Sequence, residues 1–262
     1  VHIVESLKPL EGYAGRLGLT IGNFEGFHRG HLAIIRTLVR ECRRRSLVPS
    51  VITFTQHPLR VLGKGAPERL SAPEDKLHRL EREGVDLVFL LEFTPSFARM
   101  EPLAFLTHLH RCFSPRLYCL GSEFRFGRSN RGTADVLVEN APAFGYDLIS
   151  VGEVFQDGSP ISSTRIRGEV KEGRFEEVRK LLGNCYYVYL TVDSGEGSTR
   201  LRLFFDNWAI PRSGSFDGEI EDMDSGRRTH LTLTIGRGGI QVSKKLPPAR
   251  LYRFYFVKPC VP

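Results

Sequence analysis

Apolar and polar positions follow two different rhythms along this chain, and the change between them divides it. Through residue 183, short apolar runs of strand length are each followed by a stretch whose apolar positions recur three and four apart. Leu17-Gly18-Leu19-Thr20 forms the first buried strand, and Leu32, Ile34, Ile35, Leu38, Val39 and Cys42 then mark one face of a helix that opens near Arg29 to His31. Further strands are predicted over 50–54, 85–91, 117–120 and 146–151. Helices are predicted over 71–84, over 102–112 with Leu103, Phe105, Leu106 and Leu109 inward, and over 133–143. Such alternation implies a parallel sheet. Two more helices, over 163–170 and 175–182, precede Gly183-Asn184, where this α/β domain is expected to end. Beyond it the rhythm becomes that of short β runs, over 186–192, 199–205, 230–235 and 250–257, separated by Gly, Ser and Asp clusters. A small all-β barrel or sandwich over 184–262 is expected.

Composition narrows the class. No run of ~18 apolar residues occurs and no signal-like leader opens the chain, so a soluble, cytoplasmic protein is expected. Five cysteines without a C-x-x-C pair suit reduced thiols rather than a zinc site, and no structural metal is expected. A net charge of +7 favours anionic partners without choosing among them. The run Arg43-Arg44-Arg45 falls at a helix end, where cations complement the dipole and face solvent. Around residues 250–258 aromatic and basic residues interleave, but with the alternation of a two-faced strand, so no nucleic-acid platform is read there. Oligomeric state is not encoded in any of these features.

The stretch Ile21-Gly22-Asn23-Phe24-Glu25-Gly26-Phe27-His28-Arg29-Gly30-His31 carries the chemistry. It leaves a strand, turns on glycines that let backbone approach a ligand, and opens a helix whose N-terminus favours phosphate. Two surface histidines at helical spacing would be the bland reading. A second stretch, Ile161-Ser162-Ser163-Thr164-Arg165-Ile166-Arg167, opens a helix with hydroxyl and guanidinium donors. Two others follow predicted strands: Phe54-Thr55-Gln56-His57-Pro58, and Gly121-Ser122-Glu123-Phe124-Arg125-Phe126-Gly127. On spacing alone, His57 reads as a turn residue, the second of these as a glycine-bounded hairpin, and the aromatics as core.

Taken together, these four stretches resemble the bacterial FAD synthetases. His28-Arg29-Gly30-His31 matches the H-x-G-H signature of nucleotidylyltransferases, and residues 161–167 match the family's late I-S-S-T-x-I-R element. Departures are Glu25 and Glu123 where the family has Asp, and Gln56 where it has Pro. The resemblance implies a Rossmann-like nucleotidylyltransferase domain over residues 1–183, with FMN and Mg²⁺-bound ATP as substrates and FAD as product. It implies catalytic roles for His28 and His31 and ATP contacts from Gly22, Asn23, Phe24, Gly30, Ser163, Thr164 and Arg167. Flavin contacts would come from Phe54, His57, Pro58, Glu123, Phe124, Arg125 and Phe126. Relatives often carry a riboflavin kinase barrel with a G-x-P-T-A-N element. Residues 184–262 have no Pro-Thr-Ala-Asn, only Ala209-Ile210-Pro211-Arg212, so a degenerate kinase-like domain is expected and no nucleic-acid or membrane partner. Adenylyl transfer to nicotinamide mononucleotide or a pantetheine phosphate, and a non-catalytic flavin- or nucleotide-binding regulator, are the alternative readings.

Overall fold

The first strand-and-helix rhythm folds as β1 (His2–Val4), β2 (Leu17–Ile21), α1 (Arg29–Arg44), β3 (Val48–Phe54), α2 (Pro58–Val61), α3 (Pro73–Arg82), β4 (Leu87–Leu91), α4 (Pro95–Ala98), α5 (Pro102–Phe113), β5 (Leu117–Gly121), α6 (Ala134–Phe144) and β6 (Asp147–Val151). The structure, a computed structural model, describes residues 1–63, 65–193, 200–242, 244–248 and 250–256. All six strands pair in parallel, in the order β1-β4-β3-β2-β5-β6. Strands β2 to β5 are buried on both faces, which is why they read as unbroken apolar runs. After β2 the chain adds β3 and β4 on one side, then returns to place β5 on the other. Such a reversal opens a crevice beyond the carboxyl ends of the central strands.

Helix α1 sits against β2 and β5 through Leu32, Ile35, Leu38 and Cys42, all buried. Its approach is close because Gly18 lacks a side chain: a Cβ there would lie 2.2 Å from the Cys42 sulfur. In α5 the expectation for Leu103 is corrected. It is 52% exposed, and the buried stripe is Phe105, Leu106, Leu109, His110 and Phe113. The arginine run closes α1 as expected, with Arg43 and Arg44 exposed and Arg45 half-buried; Arg43 pairs with Asp86, Arg44 with Glu41, and Arg45 with Asp147 and Glu41.

The second rhythm gives a closed barrel. A short hairpin, β7 (Phe155–Gln156) and β8 (Ser159–Pro160), leads into α7 (Ser163–Lys171) and α8 (Phe175–Leu182). Then come β9 (Tyr187–Asp193), β10 (Arg200–Leu203), β11 (Gly214–Asp222), β12 (Arg228–Gly236), β13 (Gly239–Val242) and β14 (Leu251–Phe256). They close antiparallel in the order β10-β13-β12-β11-β14-β9, with β9 returning to β10. Predicted residues 199 and 257, at the ends of two expected strands, lie outside the described residues, as does Cys260. Cys42, Cys112, Cys119 and Cys185 form no disulfide. Strand β11 was not legible because Gly218 and Asp222 stand at inward positions. Gly218 is required there, since a Cβ would lie 2.6 Å from the Phe254 ring and 2.1 Å from the Tyr255 carbonyl oxygen.

Contacts divide the chain into two compact units, Val1–Pro67 with Pro73–Phe155, and Glu68–Ala72 with Gln156–Pro262. Helices α7 and α8 therefore belong to the compact unit of the barrel, although the change of sequence rhythm falls at 183. The reason lies in their partners. Arg167 donates to the Glu68 carbonyl, Lys171 pairs with the Glu68 carboxylate at 2.8 Å, and Phe175 stacks on Phe256 of β14 at 4.1 Å.

Candidate active site

The turn between β2 and α1 is built under strain. Phe24 (φ 49°) and Phe27 (φ 46°) both occupy the left-handed region, which costs a non-glycine residue on the order of 1–3 kcal/mol. Burial holds them there: both rings are 2% exposed, in one apolar cluster with Leu32, Ile35, Leu38, Leu80 and Val88. The Phe24 ring in turn covers Gly22, where a Cβ would sit 3.0 Å from it. Gly22 is pinned to the sheet by its N–H, which donates to the Ile52 carbonyl at 3.0 Å.

His28 is the N-cap of α1, its Nδ1 accepting the His31 backbone N–H at 3.3 Å. An imidazole that accepts at Nδ1 and is neutral carries its proton on Nε2. The two rings stack, with centroids 3.7 Å apart, and the edge of His31 meets Phe24 at 5.3 Å. Burial lowers the His28 pKa to about 4, and burial followed by the neighbouring His28 lowers that of His31 well below the ordinary range. Both are thus neutral at physiological pH, available as hydrogen-bond donors and not as cations. Their charged forms appear only as pH falls toward the lowered values. In a ¹H–¹⁵N spectrum of the free protein, the His28 and His31 ring signals should hold constant from pH 8 down to 5.5. A midpoint near 6.5 in either would contradict the burial. Close by in sequence, the Thr20 hydroxyl, the Asn23 side-chain nitrogen and His31 Nδ1 are buried with no hydrogen-bond partner among the described residues. Buried polar atoms of this kind call for a ligand or water to satisfy them.

A cavity of about 720 Å³ lies beside this turn. Gly22 and Asn23 form part of its wall, and Phe54, Pro58, Phe93, Phe97, Phe105, Phe124 and Phe126 make much of the rest. Edge contacts lock these rings to one another: Phe54 to Phe93 at 5.1 Å, Phe93 to Phe97 at 5.5 Å and Phe97 to Phe105 at 5.7 Å. The volume is ordinary for a small-molecule pocket. No helix among the described residues is long and apolar enough to cross a membrane. Nor, among them, do three or more His, Cys, Asp or Glu side chains gather as metal ligands.

The family model described as FAD synthetase matches residues 13–165, which include the histidine turn and the whole cavity wall. The chain belongs to the FAD synthetase family. It is 28% identical over 232 residues to the FAD synthetase of Listeria monocytogenes, covering 87% of this chain and 92% of that protein. To the bifunctional riboflavin kinase/FMN adenylyltransferase of Escherichia coli (strain K12) it is 32% identical over 193 residues, 73% of this chain and 60% of that one. The chain thus spans less than two thirds of that bifunctional relative. A solved structure from Streptococcus pneumoniae, described as a macrolide-efflux protein, superposes with a TM-score of 0.82 at 23% identity, covering 99% of this chain and 100% of that one. That likeness concerns the fold.

Within this FAD synthetase domain the sequence-derived residues are not all brought together. Gly22, Asn23, Phe54, Pro58, Phe124, Arg125 and Phe126 line the cavity. His57 does not; it is the N-cap of α2, its Nδ1 accepting the Leu59 N–H at 3.2 Å. Glu123 is exposed and off the wall, and the Phe24 side chain lies in the core beneath the turn. The loop that carries Phe124 and Phe126 is closed by paired bonds between Phe126 and Gly132, at 3.0 and 2.8 Å. Ser163, Thr164 and Arg167 lie on α7, in the other compact unit. There the Ser162 hydroxyl caps the helix by accepting the Arg165 N–H at 3.2 Å.

Two features escaped the sequence reading. Phe93 and Phe97 follow β4 around Thr94, whose hydroxyl caps α4, with Pro95 at its first turn. Aromatics four apart just past a parallel strand were the available signal. Lys76 is 9% exposed, and its ammonium donates to the Thr53 hydroxyl at 3.1 Å and the Phe54 carbonyl at 2.8 Å. Thr53 in turn donates to the Asn23 carbonyl at 3.4 Å, so a buried lysine ties the end of β3 to the turn between β2 and α1. Nothing in its helical spacing announces it.

Proposed function

We propose that this chain transfers the adenylyl group of Mg²⁺-bound ATP to FMN, giving FAD and pyrophosphate. The observation that carries this reading is the sharing of Gly22 and Asn23 between the histidine turn and an aromatic cavity of a size to take an isoalloxazine ring. A non-bridging oxygen of the FMN phosphate attacks the α-phosphorus of ATP. The bond from that phosphorus to the β-phosphate oxygen breaks, and pyrophosphate leaves with the electron pair. No strong base is needed, because a phosphate monoester is already largely dianionic at neutral pH. Catalysis is then placement and stabilisation of charge.

His28, through Nε2–H, and His31 are assigned to the α-phosphate oxygens, where neutral donors strengthen their bonds as negative charge accumulates. Gly22, Asn23 and Gly30 are assigned to the nucleotide, and Phe24 acts through its main chain. On the resemblance of their motif, Ser163, Thr164 and Arg167 are assigned to the β- and γ-phosphates. Phe54, Pro58, Phe124 and Phe126 would sandwich the flavin. His57 and Glu123 are supporting residues in this reading, shaping the loops that carry the wall. Mg²⁺ enters with ATP as part of the substrate, and the reaction is placed in the cytoplasm.

The barrel is proposed to lack riboflavin kinase activity, on the absence of Pro-Thr-Ala-Asn after residue 183. Acceptor exchange tests the whole reading. With Mg-ATP held constant, pyrophosphate release should be at least 100-fold faster with FMN than with nicotinamide mononucleotide or a pantetheine phosphate, and riboflavin should yield no FMN. Faster release with another acceptor would reassign the substrate, no release with any would favour the regulator, and FMN formed from riboflavin would restore the kinase.

A further inference from the structure

The wall of the aromatic cavity carries two guanidinium groups that its apolar character does not explain. Arg99, the residue that ends α4, and Arg125, between the two wall phenylalanines of the 121–127 loop, both line it and are both exposed. A third, Arg128, is engaged, its Nη1 lying 3.3 Å from the Glu101 carboxylate. The side chains of Arg99 and Arg125 make no hydrogen bond or ion pair among the described residues. Exposed cations on the wall of a pocket of phenylalanines gain little from a neutral ring system beyond stacking on its face. They gain from an anion, and guanidinium is suited to a phosphate monoester because its planar fork meets two oxygens at once.

We propose that Arg99 and Arg125 are specificity-determining residues that receive the terminal phosphate of the flavin substrate, making the phosphorylated flavin and not the free one the acceptor. This rests on the flavin reading of the cavity. With the ring held by Phe54, Phe97 and Phe126, the charge of the ribityl phosphate is the part of the ligand that distinguishes FMN from riboflavin. Guanidinia at the wall convert that charge into affinity, and they hold the attacking oxygen in place before ATP reacts. Arg99 belongs to none of the sequence motifs, whereas Arg125 stands inside the 121–127 stretch.

The test is equilibrium binding of FMN, riboflavin and ATP separately to the wild-type chain, to Arg99→Ala, to Arg125→Ala and to the double variant, by flavin fluorescence and by calorimetry. The wild type should bind FMN more tightly than riboflavin. The double variant should lose at least 30-fold in FMN affinity, with riboflavin and ATP each within about twofold of wild type. Lysine at both positions should recover part of the loss, since it returns charge without the fork. Unchanged FMN affinity in a variant that still binds riboflavin would overturn the proposal. Equal weakening of both flavins would show a packing role, and weakening of ATP alone would show that the guanidinia serve the nucleotide; either result also overturns it. A wild-type chain that binds neither flavin would refute the flavin reading itself, and this proposal with it.

Discussion

Alanine at His28 or at His31 should lower turnover by more than ~10²-fold and leave a folded protein. Each ring is a neutral donor in a buried setting, where one hydrogen bond to developing charge contributes several times its value in water. The fold should tolerate the loss, because α1 is anchored through Leu32, Ile35, Leu38 and Cys42 and not through the imidazoles. His28 has a second task as the α1 cap, whose loss costs about 1 kcal/mol. His28→Asn separates the two tasks, since asparagine caps helices well but does not reproduce the stacked Nε2–H donor. It should recover the melting temperature of wild type while turnover stays depressed. Turnover comparable to wild type in either alanine variant, measured at saturating ATP and FMN, would remove the histidines from the reaction.

The second large effect is on stability. Gly18→Ala places a methyl group 2.2 Å from the Cys42 sulfur, with a Leu117 methyl at 3.5 Å, in a region where all of these atoms are buried. Overpacking of this kind costs about 1–3 kcal/mol, and this contact is tight enough to expect the upper part of that range. Because α1 carries both histidines, any retreat of the helix should also reduce turnover. Cys42→Ala opens the space the new methyl needs, so the double variant should recover most of the stability lost by Gly18→Ala alone. Urea denaturation of the four proteins of this cycle measures the coupling. A Gly18→Ala protein as stable as wild type would mean that helix and strand are not in the close approach described.

Much of this architecture could be read from the chain, and the exceptions have local causes. Strands buried on both faces announce themselves as apolar runs, and Phe175–Leu182 is periodic enough that α8 has the predicted bounds. Strand β11 was hidden because an inward glycine and an inward aspartate interrupt its alternation, each accommodated by a partner distant in sequence, Phe254 for Gly218 and Arg250 for Asp222. The same applies at the site. Residues contiguous in a motif, such as His28 and His31, were found together, and so was the Phe124 to Phe126 pair. Phe93, Phe97, Arg99 and Lys76 stand near the crevice only because a parallel sheet collects the ends of β2, β3 and β4 on one edge. That convergence is a property of topology, and no spacing within a single segment records it. Conversely, His57 fits its motif yet is used as the cap of α2, because a helix beginning at Pro58 needs an acceptor one residue earlier.

The central claim is transfer of the α-phosphoryl unit of ATP, with its adenosine, to a phosphorylated flavin. It is tested most directly by incubating the purified chain with Mg²⁺, FMN and ATP labelled in parallel reactions at the α- or the γ-phosphate, then separating flavins and phosphates by chromatography. Label from the α-position should appear in FAD in equal amount to the FMN consumed, while γ-label appears wholly in pyrophosphate. Recovery of unlabelled FMN with intact ATP, or of γ-label in any flavin, would contradict the account.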